Sequence, residues 1–357
     1  MIKSKKLVAG LAALSIACVS FADVEFSFKN ELSSDIVNIT SVKDENDAVS
    51  TATSFAGIRN KTVVDFKSEK VDAGLDIRFW FLPVDSQKTV GGNLEDYTFV
   101  EFFGYDVHDY YIEYRPFNIL TFGFHDTINT NGSYLPVWDD NVSTGNLGSD
   151  FVVCLRPIEG LRIATGIDFI STIGVDENDN SYNQNFIWNS GIDYTMEDVF
   201  SVGFTARDVL SDDRAFGFYG SLDMVDGLSM TAGFGINAEE VGEYEVSGNV
   251  LTFGATYENE DSNMAFGLDF ATNFSNEESE KDLYLGANWG WGINDDWSLS
   301  TELLMAWDLN KADAGDYIVH PFASWTHEIH TIEAGVQFEF NDSEFGVCFP
   351  VKYTVEF

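Results

Sequence analysis

Carboxylates dominate the residues that could do chemistry in this sequence, and they have few of the partners that enzymes use. The chain contains 59 Asp and Glu against 19 Lys and Arg, with only five His. A hydrolytic site needs a nucleophile, a base and a group that orients the base, or an Asp–His pair that activates water. No Ser in the sequence has such partners evident around it. The sequence therefore predicts that the protein is not an enzyme.

Two segments with metal-binding residue types fail on spacing. His327-Glu328-Ile329-His330 lacks the HExxH spacing of zinc proteases. The acidic segment 176–187 looks like a calcium loop, but Ser181 stands where an EF-hand needs Gly, and Ile187 stands where it needs Glu. We therefore expect no metal site and no cofactor.

The overall charge restricts the possible partners. The formal net charge is −40 at pH 7, which argues against nucleic acid because phosphates are bound by Lys and Arg. Such acidity fits small hydrophilic or cationic partners, and an aromatic content of 15% argues against a disordered chain. Beyond residue 22 the only cysteines are Cys154 and Cys348, too few for a disulfide framework in a chain of this size.

Apolar side chains recur at every second position along most of the chain. Over 71–81 the odd positions are apolar, and over 331–340 the even positions are. Side chains on a strand alternate between its two faces, so this period predicts β-strands with one apolar face and no amphipathic helix. We count about 18 strands. Sixteen is the alternative, because the region 97–116 could form one strand or two.

The connectors between these strands alternate between short and long. The short ones are turn-forming clusters such as Glu69-Lys70 and Val225-Asp226-Gly227. The long ones are polar and acidic and span 33–53, 83–105, 127–149, 171–184, 238–247 and 274–280. Short turns at one end and long loops at the other are typical of transmembrane antiparallel β-barrels, with periplasmic turns and extracellular loops. The sequence therefore predicts an all-β transmembrane barrel.

The strand over 297–307 indicates whether the apolar face meets a protein core or lipid. Trp297 and Trp307 lie on one face and bracket Leu299 and Met305. Ten residues span ~33 Å, or about 23 Å of depth at roughly 45° tilt, which matches the ~25 Å apolar band of a barrel with an aromatic girdle at each rim. The predicted membrane-interface girdle includes Trp297, Trp307, Tyr353 and Phe357. A large soluble β-sandwich or β-solenoid is the alternative.

Both ends of the chain carry signals for export and assembly. Residues 1–22 combine three Lys, an apolar run and Ser20-Phe21-Ala22, as in a secretory signal peptide. The segment 345–357 alternates apolar residues with small or polar ones and ends in Phe. It resembles the C-terminal signal strand of bacterial outer-membrane β-barrels. The resemblance implies a barrel domain over 23–357 that the barrel-assembly machinery inserts into the lipid of the bacterial outer membrane.

The face opposite the apolar one would line the interior of such a barrel. It carries about twice as many carboxylates as bases, and unpaired charge is too costly for a dry core. A barrel of this size is wide enough for an aqueous channel, and excess carboxylate predicts cation preference. The predicted acidic wall residues are Asp72, Asp76, Glu113 and Asp168. The pattern therefore predicts a passive, water-filled channel for small hydrophilic solutes.

The loop 127–149 contains Asp139 and Asp140, and several arginines lie on strands of the first half of the chain. This arrangement resembles the general porins, in which the third long loop folds inward and sets acidic groups opposite a basic wall. By that resemblance Asp139 and Asp140 form the acidic side of the pore constriction. The basic side is then Arg59, Arg78, Arg115 and Arg162. The aromatic loop 83–105 would contact a neighbouring subunit, which implies a possible homotrimer.

Two other classes of function stay open. A surface adhesin or structural barrel with a closed lumen would use the acidic loops for binding and would pass no solute. An outer-membrane hydrolase is the weaker alternative, because it needs the nucleophile, base and orienting group that the sequence pattern does not supply.

Overall fold

The computed structural model describes most of the chain, and its regular elements are β-strands. The described residues are 25–43, 49–54, 57–81, 89–90, 93–94, 103–125, 133–135, 140–142, 150–173, 182–210, 214–241, 246–273, 282–309, 315–341 and 344–357. The predicted signal peptide, 1–22, lies outside them. Within these ranges no helix is long and apolar enough to cross a membrane.

Twenty-four strands lie within the described ranges. In chain order they are β1 (Glu25–Lys43), β2 (Val49–Ser54), β3 (Ile58–Lys67), β4 (Val71–Phe81), β5 (Thr89–Val90), β6 (Asn93–Leu94), β7 (Phe103–Phe117), β8 (Leu120–Phe124), β9 (Ser133–Leu135), β10 (Asp140–Val142), β11 (Phe151–Ile158), β12 (Leu161–Ile173), β13 (Tyr182–Met196), β14 (Phe200–Arg207), β15 (Ala215–Val225), β16 (Leu228–Val241), β17 (Val246–Asn259), β18 (Met264–Asn273), β19 (Asp282–Gly292), β20 (Trp297–Asp308), β21 (Asp316–His327), β22 (His330–Gly335), β23 (Gln337–Phe340) and β24 (Glu344–Glu356).

Twenty of these strands form one antiparallel sheet that closes on itself. β1 pairs with β3 on one side and with β24 on the other. β22 and β23 share one position in the wall, because both pair with β21 and with β24, while β2 pairs with the end of β1. The wall is therefore a closed 18-strand antiparallel barrel. The predicted count of 18 is confirmed, and the alternative of 16 is wrong.

The two ends of the described chain meet at the seam of the barrel. The N–H of Phe28 donates to the carbonyl of Phe357 at 2.7 Å, and the N–H of Phe357 donates back to Phe28 at 3.0 Å. The two rings stack with centroids 5.0 Å apart. Closure removes the sheet edge, whose unpaired groups would each cost several kcal/mol in lipid.

Short hairpin turns join neighbouring strands at one end of the barrel, as the sequence predicts. Examples are 197–199 and 328–329. Asp198, Asn263 and Glu328 have positive φ angles of 56°, 51° and 54°. Such left-handed conformations give a tight turn the twist of its flanking strands, and Asn and Asp tolerate them better than most residues.

Some of the long connectors at the other end are shorter than predicted. The expected loop 33–53 is wrong for most of its length, because β1 continues to Lys43 and pairs with β2 from Asn38 opposite Ser54. The expected loop 238–247 also narrows, since β16 extends to Val241 and β17 begins at Val246. These extensions carry polar residues on both faces, so the two-residue period that reveals strands elsewhere is missing there.

The two faces of the wall differ in chemistry. On β12, Ile163 and Ile167 are 40% and 37% exposed on the outside, while the intervening Ala164 is 3% exposed. Large apolar side chains are exposed on the outer face around the barrel, for example Trp188, Phe218 and Phe266. A monomeric soluble protein rarely exposes so extensive an apolar surface. The apolar residues that recur at every second position therefore lie on the outer face of the barrel.

On the inner face, aromatic rings lie flat across glycines of the neighbouring strand. Tyr219 of β15 lies directly opposite Gly203 of β14, and a Cβ built on Gly203 would be 2.2 Å from the tyrosine ring. The ring can adopt this position because Gly has no side chain. The contact fixes Tyr219 along the wall, so that the ring does not project into the bore.

Candidate functional site

The inner wall gathers charged side chains from adjacent strands, beginning with β4 and β7. Asp72 lies directly opposite Glu113. The guanidinium of Arg115 holds both, with Nη2 2.6 Å from Oδ1 of Asp72 and Nη1 3.4 Å from Oε2 of Glu113. The three side chains keep about a fifth to a quarter of their surface exposed. Charges that keep such exposure contact water, as expected for a hydrated interior rather than a dry core.

A second charged group lies farther from the short turns on β3 and β4. Lys61 and Arg78 are directly opposite each other, and the carboxylate of Asp76 lies 3.9 Å from Lys61 and 3.2 Å from Arg78. This carboxylate reduces the repulsion between two like charges. Arg59, two residues before Lys61 on β3, is exposed. Asp106 lies directly opposite Arg78, and Asp109 lies directly opposite Asp76, so this part of the wall carries bases and carboxylates side by side.

Arg162 of β12 forms a compact ion pair with Asp193 of β13. The two residues are directly opposite. Nε donates to both carboxylate oxygens at 3.0 Å, and Nη2 lies 3.0 Å from Oδ2. The Asp193 side chain is only 2% exposed. The charge of Arg162 is therefore compensated within the wall, and the pair joins two strands. Asp168 lies on the same inner face of β12, farther from the turn.

Arg156 of β11 is an inner-wall base that the sequence pattern did not single out. Its Nη1 donates to Oγ1 of Thr121 at 2.5 Å. Together with Arg162 and Asp193 it lines a cavity of about 530 Å³ beside the short turns. The alternation of faces does indicate the position of Arg156, because it lies two residues after the buried inner residue Cys154 and therefore on the same face. Pro157 and the turn that follow obscure the end of the strand.

On the other side of the seam the inner wall is more acidic. Lys352 of β24 lies between two carboxylates, with Nζ 2.9 Å from Glu333 and 3.7 Å from Glu31. On β21, Nδ1 of His320 lies 3.4 Å from Oε2 of Glu302. Together these side chains contain three carboxylates, those of Glu31, Glu302 and Glu333, against the one ammonium of Lys352 and a neutral imidazole.

A third part of the wall, from β14 to β19, carries small, hydroxyl and amide side chains on its inner face. Examples are Ser201, Thr205, Thr252 and Asn273, all of which are buried. The short strand β9, from the connector between β8 and β11, lies beside β15, β16 and β17. Asp140 begins β10, which pairs with β9, whereas Asp139 lies outside the described residues.

β9 lies far around the barrel from the two strands that flank its connector. β8 and β11, which flank its connector, are neighbours in the wall. β16 lies nine positions from β3 in the closed order of 18 strands, so β9 lies against the wall opposite the one that carries Lys61 and Arg78. The resemblance to general porins implies that this loop folds inward, but neither it nor the sequence pattern indicates which strands β9 contacts.

The predicted girdle residues lie on the outer face. Trp297, Tyr353 and Phe357 are exposed near the short-turn end of the barrel. Trp307, at the far end of β20, donates its indole N–H to the hydroxyl of Tyr317 at 2.9 Å. The described residues contain no group of three or more His, Cys, Asp or Glu side chains that could hold a metal ion.

Comparison with known proteins identifies the fold. No family model and no curated protein matches the sequence. OccAB4 of Acinetobacter baumannii matches with a TM-score of 0.55 at 10% identity, over 93% of this chain and 98% of its own. OccK9 (OpdG) of Pseudomonas aeruginosa gives 0.55 at 11% identity, over 93% and 99%. A BenF-like porin from Pseudomonas fluorescens Pf-5 gives 0.53 at 9% identity, over 94% and 100%. The chain therefore has the fold of outer-membrane porins, a closed β-barrel of 18 antiparallel strands.

Proposed function

We propose that this protein is a passive, water-filled channel in the bacterial outer membrane that passes small hydrophilic solutes. One observation carries the proposal: the outer face exposes large apolar side chains, while ion-paired side chains on the inner face stay partly exposed. Apolar residues suit lipid, and partly exposed charges require water. A bore of this kind admits solutes by size and by the field of its wall.

We also propose a preference for cations. The seam side of the wall combines Glu31, Glu302 and Glu333 with Lys352. Arg115 and Arg162 are held by carboxylates, so their charges act less strongly on a passing ion. Excess carboxylate enriches cations in a narrow bore.

The constriction would form where the loop 127–149 faces the charged wall. The position of β9 against β15, β16 and β17 supports an inward route, because β3 and β4 then lie across the bore. On this proposal Asp139 and Asp140 supply the acidic side of the narrow region. The basic side would come from Arg59, Arg78, Arg115 and Arg162, of which Arg115 and Arg162 lie nearer the short turns.

Planar bilayer recordings in a salt gradient test these proposals. The wild-type chain should give stepwise conductance and a reversal potential of the sign expected for cation preference. Asp139→Asn/Asp140→Asn should reduce the cation-to-anion permeability ratio about twofold or more, because two charges leave the narrow region. The matched control is Asp295→Asn/Asp296→Asn in a short turn, which should keep the wild-type ratio. Equal ratios in all three proteins would remove Asp139 and Asp140 from the constriction.

A closed-lumen adhesin or structural barrel is the second candidate, and one observation favours it. Val152, Cys154 and Asp269 point inward and are 0% exposed, so parts of the inner wall are covered. Liposome swelling with small sugars separates the two functions. An open channel lets the sugar enter and the vesicles swell, whereas a sealed barrel gives no swelling.

The partners are part of the same proposal. Phe357 packs on Phe28 at the seam, which supports a role for the aromatic C-terminal strand in assembly by the barrel-assembly machinery. The loop 83–105, expected at a homotrimer interface, falls mostly outside the described residues. Chemical cross-linking in membranes tests the trimer, and a product no larger than one chain would argue against it.

A further inference from the structure

A histidine on the inner wall is placed to control the charge of the bore. His320 of β21 lies directly opposite Glu302 of β20, with Nδ1 3.4 Å from the carboxylate. Its ring lies over Gly335, where an added Cβ would be 2.8 Å from Nε2, and it stacks on Phe322 with centroids 4.9 Å apart. The His320 side chain is 19% exposed and that of Glu302 is 38% exposed. The pair therefore contacts the bore.

The charged groups on neighbouring strands define the environment of this pair. β22 supplies Glu333, β23 supplies Glu339, and β24 supplies Lys352, whose Nζ is 2.9 Å from Glu333. Beyond them Glu31 of β1 lies 3.7 Å from Lys352. Among these side chains, imidazole is the type whose charge ordinarily changes between about pH 5 and 8.

We infer that His320 is a proton-sensitive determinant of ion selectivity, an inference that rests on the proposed channel function. In the neutral imidazole Nδ1 donates its hydrogen to Glu302, and the carboxylate keeps its full negative charge. Part of the His320 side chain is exposed to the bore, so the ring can take up one proton from water there. The imidazolium then compensates Glu302, and the cation preference of the bore falls as the pH falls.

The size of the effect follows from one unit of charge on the wall. At about 10 Å from a permeating ion in roughly 0.1 M salt, one charge attracts cations and repels anions by modest and opposite amounts. Together these change the cation-to-anion permeability ratio by about 1.5-fold to 2-fold. Reversal potentials in a salt gradient resolve a change of that size.

The experiment compares the wild-type chain, His320→Gln and His327→Gln in planar bilayers at pH 8 and pH 5.5. His327 is the matched control because its side chain is 57% exposed near a short turn, 3.4 Å from Asp296. On acidification, the cation-to-anion permeability ratio should fall in the wild-type chain and in His327→Gln. That fall should exceed the one in His320→Gln by about 1.5-fold to 2-fold. His320→Asn replaces the glutamine variant if the latter does not fold.

The outcomes separate this inference from the proposed function. Channels that conduct and prefer cations, but show the same pH dependence with and without His320, overturn the inference and leave the channel intact. Folded barrels that do not conduct at either pH overturn the channel, and the inference with it. Loss of the pH dependence in His327→Gln would place the switch at the turn instead and would also overturn the assignment to His320.

Discussion

Removing one member of the Arg162–Asp193 pair should destabilise the barrel far more than removing one member of the Lys29–Glu356 pair. The Asp193 side chain is 2% exposed and accepts hydrogen bonds from Nε of Arg162 at 3.0 Å. The Lys29 and Glu356 side chains are 48% and 66% exposed and lie 3.6 Å apart. Breaking a buried pair leaves an uncompensated charge and costs about 3–5 kcal/mol, while exposed pairs contribute about 0–1 kcal/mol.

Asp193→Asn should therefore lower the free energy of unfolding by about 3 kcal/mol, at the low end of that range because Arg162 keeps 22% of its side chain exposed. Lys29→Gln should lower it by less than about 1 kcal/mol. Adding Arg162→Gln to Asp193→Asn should recover part of the loss, because the isolated cation is then gone.

Urea unfolding in lipid vesicles, followed by tryptophan fluorescence, measures the wild-type chain, Lys29→Gln, Asp193→Asn, Arg162→Gln and the double variant. A loss of unfolding free energy in Asp193→Asn no larger than that in Lys29→Gln would contradict the prediction. The prediction also fails if the effects of Arg162→Gln and Asp193→Asn simply add, since additivity would mean that the two charges do not interact.

Two further predictions concern the inner wall. Gly203→Ala should lower the free energy of unfolding by about 1–3 kcal/mol, because the new Cβ would meet the ring of Tyr219. Tyr219→Ala in the same chain should relieve that clash, and a Gly203→Ala chain as stable as wild type in urea would contradict it. Arg156→Gln should raise the cation-to-anion permeability ratio, because it removes a positive charge from a cavity at the bore. An unchanged reversal potential would show that Arg156 does not act on permeating ions, with Lys70→Gln in a turn as the control.

Strand count and strand order were predictable because they rest on periodicity and turn chemistry. β20 illustrates this, since Trp297 to Asp308 alternates along its length and turn residues precede it. Alternation assigns each residue to a face but does not name its neighbour across the strand. The pairing of Arg162 with Asp193 depends on the register between β12 and β13, which the sequence pattern does not determine.

The break between β22 and β23 has a local cause that lies on another strand. The sequence predicts one continuous strand over 331–340, but Val336 interrupts it. The N–H of Val336 donates to the carbonyl of Pro321 at 3.1 Å, and Pro321 has no N–H to complete the ladder there. The strands that β9 contacts were equally unpredictable, because the porin resemblance implies an inward loop without indicating its neighbours in the wall.

Two adjacent, near-isosteric positions on β20 test which face of the wall meets water. Ser300 lies on the inner face and Thr301 on the outer face. Ser300→Cys and Thr301→Cys chains in lipid vesicles, treated with a charged, water-soluble thiol reagent, measure access directly, with the native chain as the background. We predict rapid labelling of the cysteine at 300 and labelling at background level at 301. Equal labelling at both positions, or faster labelling at 301, would contradict the account.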